Sequence, residues 1–246
     1  MKIALIGYGK MGKELEKAAR ERGHEITLKI NSENTRELDQ LNRSECDVAI
    51  EFSTPSAVLG NIEKCFGAGI PVVVGTTGWY DQLESVKQRC VDSNNGLIYA
   101  SNFSIGVNIL FELNRILAGI MNKHAVYDVK IEEIHHMHKL DSPSGTALTL
   151  ARDIIGNIDR KERWIDIDPE SNDESPEHPG DLTIHSMRLG EVIGTHIVKY
   201  RSKNDKLELR HEAFNRAGFA EGAVISAEWL QGKQGFFTIG DLLKLR

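Results

Sequence analysis

The sequence predicts an α/β chain: a doubly wound parallel sheet, followed by a second α+β domain built on a mixed or antiparallel sheet. Three observations predict it. Up to about residue 104, short apolar runs alternate with amphipathic stretches, the rhythm that parallel strands and their crossover helices require. A glycine-rich run, Gly7-Tyr8-Gly9-Lys10-Met11-Gly12, separates the first apolar run from the first amphipathic one. Beyond Ser104 the balance shifts toward strand-like segments.

Residues 2–6 form a short apolar run suited to a strand covered on both faces. Residues 11–22 are amphipathic, Gly23 stands where a helix C-terminal glycine is expected, and residues 26–30 give the next strand. Residues 47–51 read as a third strand, after which Thr54-Pro55 is expected to cap and open a helix running to Gly67. Strands at 70–74 and 97–100 then flank a helix at 80–90. Residues 107–121 carry Val107, Leu110, Leu113, Leu117 and Ile120 on one helical stripe. Further strands are expected at 127–134, 181–189, 192–200 and 206–210, with a helix at 144–155 and a solvated polar loop at 166–181. Residues 217–230 read as a helix returning to the first domain, and 235–246 as a short tail.

Composition excludes several classes of function. The 246 residues carry 30 basic and 36 acidic groups, a net charge of −6, so no global attraction draws the chain to a phosphate backbone and no nucleic-acid partner is expected. No run approaches the roughly 18–20 apolar residues of a membrane span, and the N-terminal residues lack a leader pattern. The expectation is a cytoplasmic protein with no membrane partner. Cys46, Cys65 and Cys90 form no C-x-x-C pair, which argues for reduced, buried thiols and against a zinc ribbon.

The glycine run satisfies G-x-G-x-x-G between a predicted strand and a predicted helix, the fingerprint of a Rossmann-type nucleotide-binding sheet. The first glycine permits the turn, the second admits a pyrophosphate, and the third lets helix pack on strand. Ligands of such sheets lie beyond the carboxyl ends of the strands. There the chain offers Ser53-Thr54-Pro55, Gly75-Thr76-Thr77-Gly78 and Ser101-Asn102-Phe103-Ser104. The second strand ends in Asn31, Ser32 and Glu33, with Arg36 beyond, which leaves NADH or NADPH open as the cofactor.

A second cluster lies at His135-His136-Met137-His138-Lys139-Leu140-Asp141-Ser142-Pro143-Ser144-Gly145-Thr146. Imidazole titrates near neutrality and a lysine ammonium donates a proton, so the block reads as an acid/base site. No helical H-x-x-x-H pair is present, and no metal is expected. Ser144-Gly145-Thr146 opens a helix whose first amides suit a carboxylate. A bound reductant and a proton source beside an anion seat together describe an NAD(P)-linked reductase of a small acid. Another NAD(P)-linked dehydrogenase of a carboxylate or amino acid, or a non-catalytic nucleotide-sensing protein, stays open on the residues alone.

The block from His135 to Ala147 resembles the signature of the dihydrodipicolinate reductase family of bacterial lysine and diaminopimelate synthesis. The resemblance extends to the glycine run, Phe52-Ser53-Thr54-Pro55, Gly75-Thr76-Thr77-Gly78, the stretch from Ser101 to Asn108, and segments between His211 and Trp229. It implies reduction of 4-hydroxy-tetrahydrodipicolinate to tetrahydrodipicolinate with NADH or NADPH, by a homotetramer built through the second domain's sheet. It also implies that Gly7, Tyr8, Gly9, Lys10, Met11, Gly12, Asn31, Gly75, Thr76, Thr77, Ser101, Asn102, Phe103 and Ser104 serve the cofactor. His135 and Lys139 would be the catalytic pair, and His136, Ser144, Gly145 and Thr146 would bind the dicarboxylate. The expected division is 1–104 with 215–246 for the dinucleotide, and 105–214 for substrate and oligomerisation. The glycine run is one residue shorter than in many members, Asn31 stands where an acid is common, and Thr195-His196 replaces a frequent Glu-His.

Overall fold

The computed structural model describes residues 1–167 and 178–245. In chain order the elements begin β1 (Lys2–Ile6), α1 (Lys10–Glu21), β2 (Glu25–Ile30), β3 (Val48–Glu51), α2 (Val58–Gly67), β4 (Val72–Val74), α3 (Leu83–Asp92) and β5 (Gly96–Tyr99). They continue with α4 (Ile105–Met121), β6 (Asp128–His135), α5 (Gly145–Asn157), β7 (Arg163–Ile167), β8 (Asp181–Arg188), β9 (Gly194–Arg201) and β10 (Lys206–Ala213). The chain closes with α6 (Ala217–Leu230), β11 (Gly235–Thr238) and α7 (Ile239–Leu243). Two compact units result, residues 1–105 with 216–246, and residues 106–215.

In the first unit six strands lie in the order β11-β5-β4-β3-β1-β2, every neighbouring pair parallel. Successive side chains of a strand point to opposite faces, and the sequence supplies apolar groups to both. Ile3, Leu5, Val48, Ile50, Val73 and Ile98 face Leu15 and Ala19 of α1 and Ala220, Ala223, Val224 and Ala227 of α6. Ala4, Ile6, Ala49, Val72, Val74 and Leu97 face Val58, Ile62 and Cys65 of α2 and Val86 and Cys90 of α3. All three cysteines are buried and unpaired.

In the second unit the order is β10-β9-β6-β8-β7, with β10, β9 and β6 antiparallel and β6, β8 and β7 parallel. One face buries Val129, Ile131, Leu182, Ile184, Val198 and Tyr200 against Leu110 and Ala118 of α4 and Leu150, Ala151 and Ile154 of α5. The opposite face carries Lys130, Glu132 and Lys199, which pair with one another.

Four local expectations are corrected. Thr54 does not cap α2: its hydroxyl bonds the Ser56 hydroxyl, and its carbonyl accepts Ala57 and Val58 N–H in a turn before the helix. Residues 80–82 form a tight 3-10 turn, and α3 starts after it. The tail contains β11, which extends the sheet beyond β5, and α7 behind a Thr238–Asp241 capping box. The polar stretch is flanked and partly replaced by β7 and β8, whose buried Asp181 accepts Arg163 Nε at 2.7 Å; its residues 168–177 lie outside the described residues. No described helix is long and apolar enough to cross a membrane.

Candidate functional site

The first unit builds a turn at the end of β1 that only glycines permit. Gly7 adopts φ +96°, and a Cβ there would sit 2.1 Å from the Phe52 carbonyl oxygen. Gly7 and Tyr8 N–H both donate to Ile30 O, at 2.9 and 2.8 Å, which ties the loop to the end of β2. A Cβ on Gly12 would lie 2.7 Å from Gly7 O, so helix and loop could not approach as they do. Gly9 differs: no atom lies within 4 Å of a Cβ built there, and α1 starts after it with no side-chain cap. The first-turn amides therefore lack intrahelical acceptors. A free cradle in front of uncapped amides fits a pyrophosphate. Gly9→Ala is expected to leave Tm nearly unchanged while raising the KM for reduced nicotinamide cofactor about tenfold, roughly 1.4 kcal/mol. Thermal unfolding and steady-state rates on one preparation check this.

The neighbouring strand ends are tied to this loop. Ser53 N–H donates to Thr76 Oγ1 at 2.8 Å, Ser53 Oγ bonds Glu51, and Asn61 Nδ2 donates to Glu51 Oε1 at 3.1 Å. Burial pushes the Glu51 carboxyl up. Gly75 packs on the Phe52 ring, which lies 5.8 Å from the Phe103 ring, and Ser104 N–H donates to Asn102 Oδ1. Thr76, Phe103 and Ser104 are buried, whereas Thr77 and Ser101 are exposed. Asn31 is exposed, and its Oδ1 accepts Glu33 N–H at 2.7 Å. Tyr8 Oη bonds Glu16, which Lys29 and Tyr8 hold down at about 2. Glu51 and Glu16 escaped the sequence reading because each acts from outside the glycine motif.

In the second unit β6 places Val129, Ile131, Glu133 and His135 on one buried face. Register sets Glu133 opposite His196 of β9, and His135 opposite Arg188 of β8. Glu133 is fully buried. Its oxygens accept the Ser144 N–H at 3.0 and 3.2 Å. Oε2 stands 3.7 Å from His135 Nδ1 and 3.6 Å from His196 Nε2, and Arg188 Nη1 is 3.7 Å from Oε1. The Ser144 hydroxyl accepts Ala147 N–H as the N-cap of α5 and meets His196 Nε2 at 3.1 Å. Burial opposes the Glu133 charge, but the His196 imidazole and the Ser144 donors outweigh it and hold the carboxyl at about 2. Burial pushes His135 down to about 4 against the pull of Glu133. At neutral pH that imidazole is uncharged.

Past His135 the chain leaves the sheet. His136 is half-buried, its ring 6.3 Å from that of His138, and Met137 and His138 are exposed. Lys139 Nζ pairs with both Asp141 oxygens at 2.7 and 2.8 Å. Arg188 anchors this loop through the Lys139 and Asp141 carbonyls at 3.4 and 2.6 Å, while also facing Glu133. Gly145 is exposed and Thr146 half-buried in the first turn of α5, where amides have no intrahelical acceptor. The predicted residues His135 and Ser144 thus meet around Glu133, and Lys139 is linked to them through Arg188. Glu133, Arg188 and Gly194 were given no role from sequence, and His196 entered only as part of the Thr195-His196 departure from the family pattern. An acid on the apolar face of an alternating strand, two residues before His135, was the available signal for Glu133.

Glu133, His135 and His196 each offer a ligand atom, all within 4.8 Å of one another. The Ser144 N–H and the Arg188 guanidinium already serve the carboxylate, and a cation there would face that guanidinium at close range.

Both parts of the chain match known proteins. Residues 1–103 match the family model described as dihydrodipicolinate reductase, N-terminus, and residues 106–243 the one described as dihydrodipicolinate reductase, C-terminus. The chain is 48% identical over 243 residues to a 4-hydroxy-tetrahydrodipicolinate reductase of Christiangramia forsetii, spanning 99% of this chain and 98% of the relative. It is 40% identical over 205 residues to one of Akkermansia muciniphila, spanning 82% and 81%. A dipicolinate-bound dihydrodipicolinate reductase of Paenisporosarcina sp. TG-14 shares the fold, with a TM-score of 0.78 at 24% identity over 98% of this chain and 99% of that one.

Proposed function

Because the chain belongs to the dihydrodipicolinate reductase family, it carries out the NAD(P)H-dependent reduction of 4-hydroxy-tetrahydrodipicolinate to tetrahydrodipicolinate, and we propose that Lys139 and His135 manage the proton. The net change adds a hydride and a proton and releases one water. The nicotinamide cofactor supplies the hydride when bound; the chain's residues do the rest.

The first unit is the dinucleotide-binding domain, with the Gly7 to Gly12 loop receiving the pyrophosphate and the turns at 75–77 and 101–104 lining the strand ends. The second unit holds the dicarboxylate: Gly145 and Thr146 present first-turn amides, and His136 and Thr146 add side-chain donors. Ser144 spends its amide on Glu133, so it supports the seat rather than touching substrate. Lys139 donates the proton as an ammonium, because His135 rests uncharged at neutral pH, and His135 passes or receives a proton beside it. The observation that carries this reading is the linkage of His135 and Lys139 through Arg188, next to the open first turn of α5.

Cytoplasmic location and homotetramer assembly belong to the same proposal. Support for self-association comes from α4, which exposes Ile109, Leu113, Ile116 and Ile120 along one stripe, and from the free edge of β10. Light scattering of the full chain is expected to give four times the monomer mass. Oxidation of NADH and NADPH by the full chain with freshly generated 4-hydroxy-tetrahydrodipicolinate tests the reaction and ranks the two cofactors; no turnover with either rejects the reading.

A further inference from the structure

We propose that Glu133 is the positioning residue of His135: anchored on one side by the Ser144 amide and Arg188, it fixes Nδ1 as the proton-bearing nitrogen and leaves Nε2 as the nitrogen that exchanges a proton with substrate. This rests on the reading of His135 as an acid/base group.

A carboxylate on the apolar face of a strand is costly unless donors and opposite charges meet it. Glu133 is met twice over. The Ser144 N–H donates at 3.0 and 3.2 Å and Arg188 stands at 3.7 Å, so the group is held and cannot swing toward solvent. The face left to Oε2 looks at His135 Nδ1, 3.7 Å away, and at His196 Nε2, 3.6 Å away. His135 Nδ1 is buried and has no hydrogen-bond partner among the described residues. A nitrogen facing an anchored anion carries its hydrogen on that side, and the gap of 3.7 Å is one that closes when the ring gains charge. The other ring nitrogen meets the opposite condition. A Cβ on Gly194 would lie 3.1 Å from His135 Nε2, so glycine at the start of β9 keeps that edge uncovered.

Among the described residues, the charged and titratable groups that act most on His135 are Glu133, His196, Lys139 and Arg188. Three of them resist a positive ring, and Glu133 alone favours it. Removing that carboxylate therefore takes away both the orientation of the ring and its ability to hold a proton during turnover. His196, wedged between Glu133 and the Ser144 hydroxyl, fills the remaining side and stops the carboxylate from drifting.

The test is nitrogen NMR of the full chain with labelled histidine, with the His135 signals assigned by their loss in His135→Gln. The wild type is expected to show the Nδ1–H form at neutral pH. In Glu133→Gln the ring is expected to become a mixture of tautomers and to titrate lower, while kcat falls about tenfold to a hundredfold and the KM for cofactor holds. Glu133→Asp should recover part of kcat and of the Nδ1–H population. An Nε2–H ring in the wild type overturns the proposal even if Glu133→Gln does not fold. So does a Glu133→Gln protein that loses Tm yet keeps the wild-type tautomer and pH profile, or stoichiometric zinc binding that shifts the His135 signals of the wild type. Absence of turnover by the wild type would instead strike the reading of the reaction, since the tautomer is measured without substrate.

Discussion

Alanine in place of Lys139 is expected to lower kcat by about two orders of magnitude or more, with the KM for reduced cofactor kept. The side chain is held where such a loss would register. Its Nζ pairs with Asp141, its carbonyl accepts from Arg188, and it is only one-fifth exposed. A positioned acid contributes roughly 10²–10⁴-fold, so both kcat and kcat/KM for the dicarboxylate should fall. Lys139→Arg separates charge from chemistry. A guanidinium attracts a carboxylate but does not release its proton near neutrality, so a proton-donor role predicts an arginine variant nearly as slow as alanine. An arginine variant close to wild type would reduce Lys139 to an electrostatic clamp. His135→Ala is expected to lose a comparable factor, and unchanged rates in either alanine variant would remove that residue from the proton path.

Gly222→Ala is expected to cost at least about 3 kcal/mol, or to leave the chain insoluble. A Cβ there would lie 1.8 Å from the Phe103 carbonyl oxygen and 2.9 Å from its carbon. Both atoms are backbone, so no rotamer change relieves the clash. Helix α6 must lift from the loop at 101–104, and with it Ala220, Ala223 and Val224 lose their places in the core. In a chain of this size about 3 kcal/mol corresponds to a fall in Tm of roughly 6–12 °C. Gly218→Ala on the same helix is the control. Nothing lies within 4 Å of a Cβ there, so its stability should equal or exceed wild type by up to about 1 kcal/mol. Equal Tm values for the two variants would show that the close approach of helix and loop is not needed.

The parallel sheet was legible because its strands are short apolar runs separated by glycine-closed helices, a pattern set by local sequence. Residues 217–230 were legible for the same reason and form α6 with those bounds. Segments 163–167 and 235–238 were not. Arg-Trp-Ile-Asp-Ile and Gly-Phe-Phe-Thr are too short to show a period, and each becomes a strand only because a sheet edge is there to receive it. The site divides along the same line. His135, Lys139 and the glycine loop sit in contiguous motifs, whereas Glu133, Arg188 and His196 are brought together by strand register across as many as 63 residues of chain, the separation of Glu133 from His196, and Gly194 comes to lie against the His135 ring. Pairing of distant strands has no local signature, so the supporting half of the site emerges only in three dimensions.

The first unit is written in two instalments, residues 1–105 and 216–246, and this sets a timetable for the newborn chain. While a ribosome works through the intervening residues, about 110 of them and roughly 5–20 s at ordinary elongation speeds, Ile50, Val73 and Ile98 await the helix that will shield them, and β5 remains a raw sheet border. Translation pauses within that interval prolong a sticky, half-clad intermediate, so holdase chaperones have their greatest opportunity there.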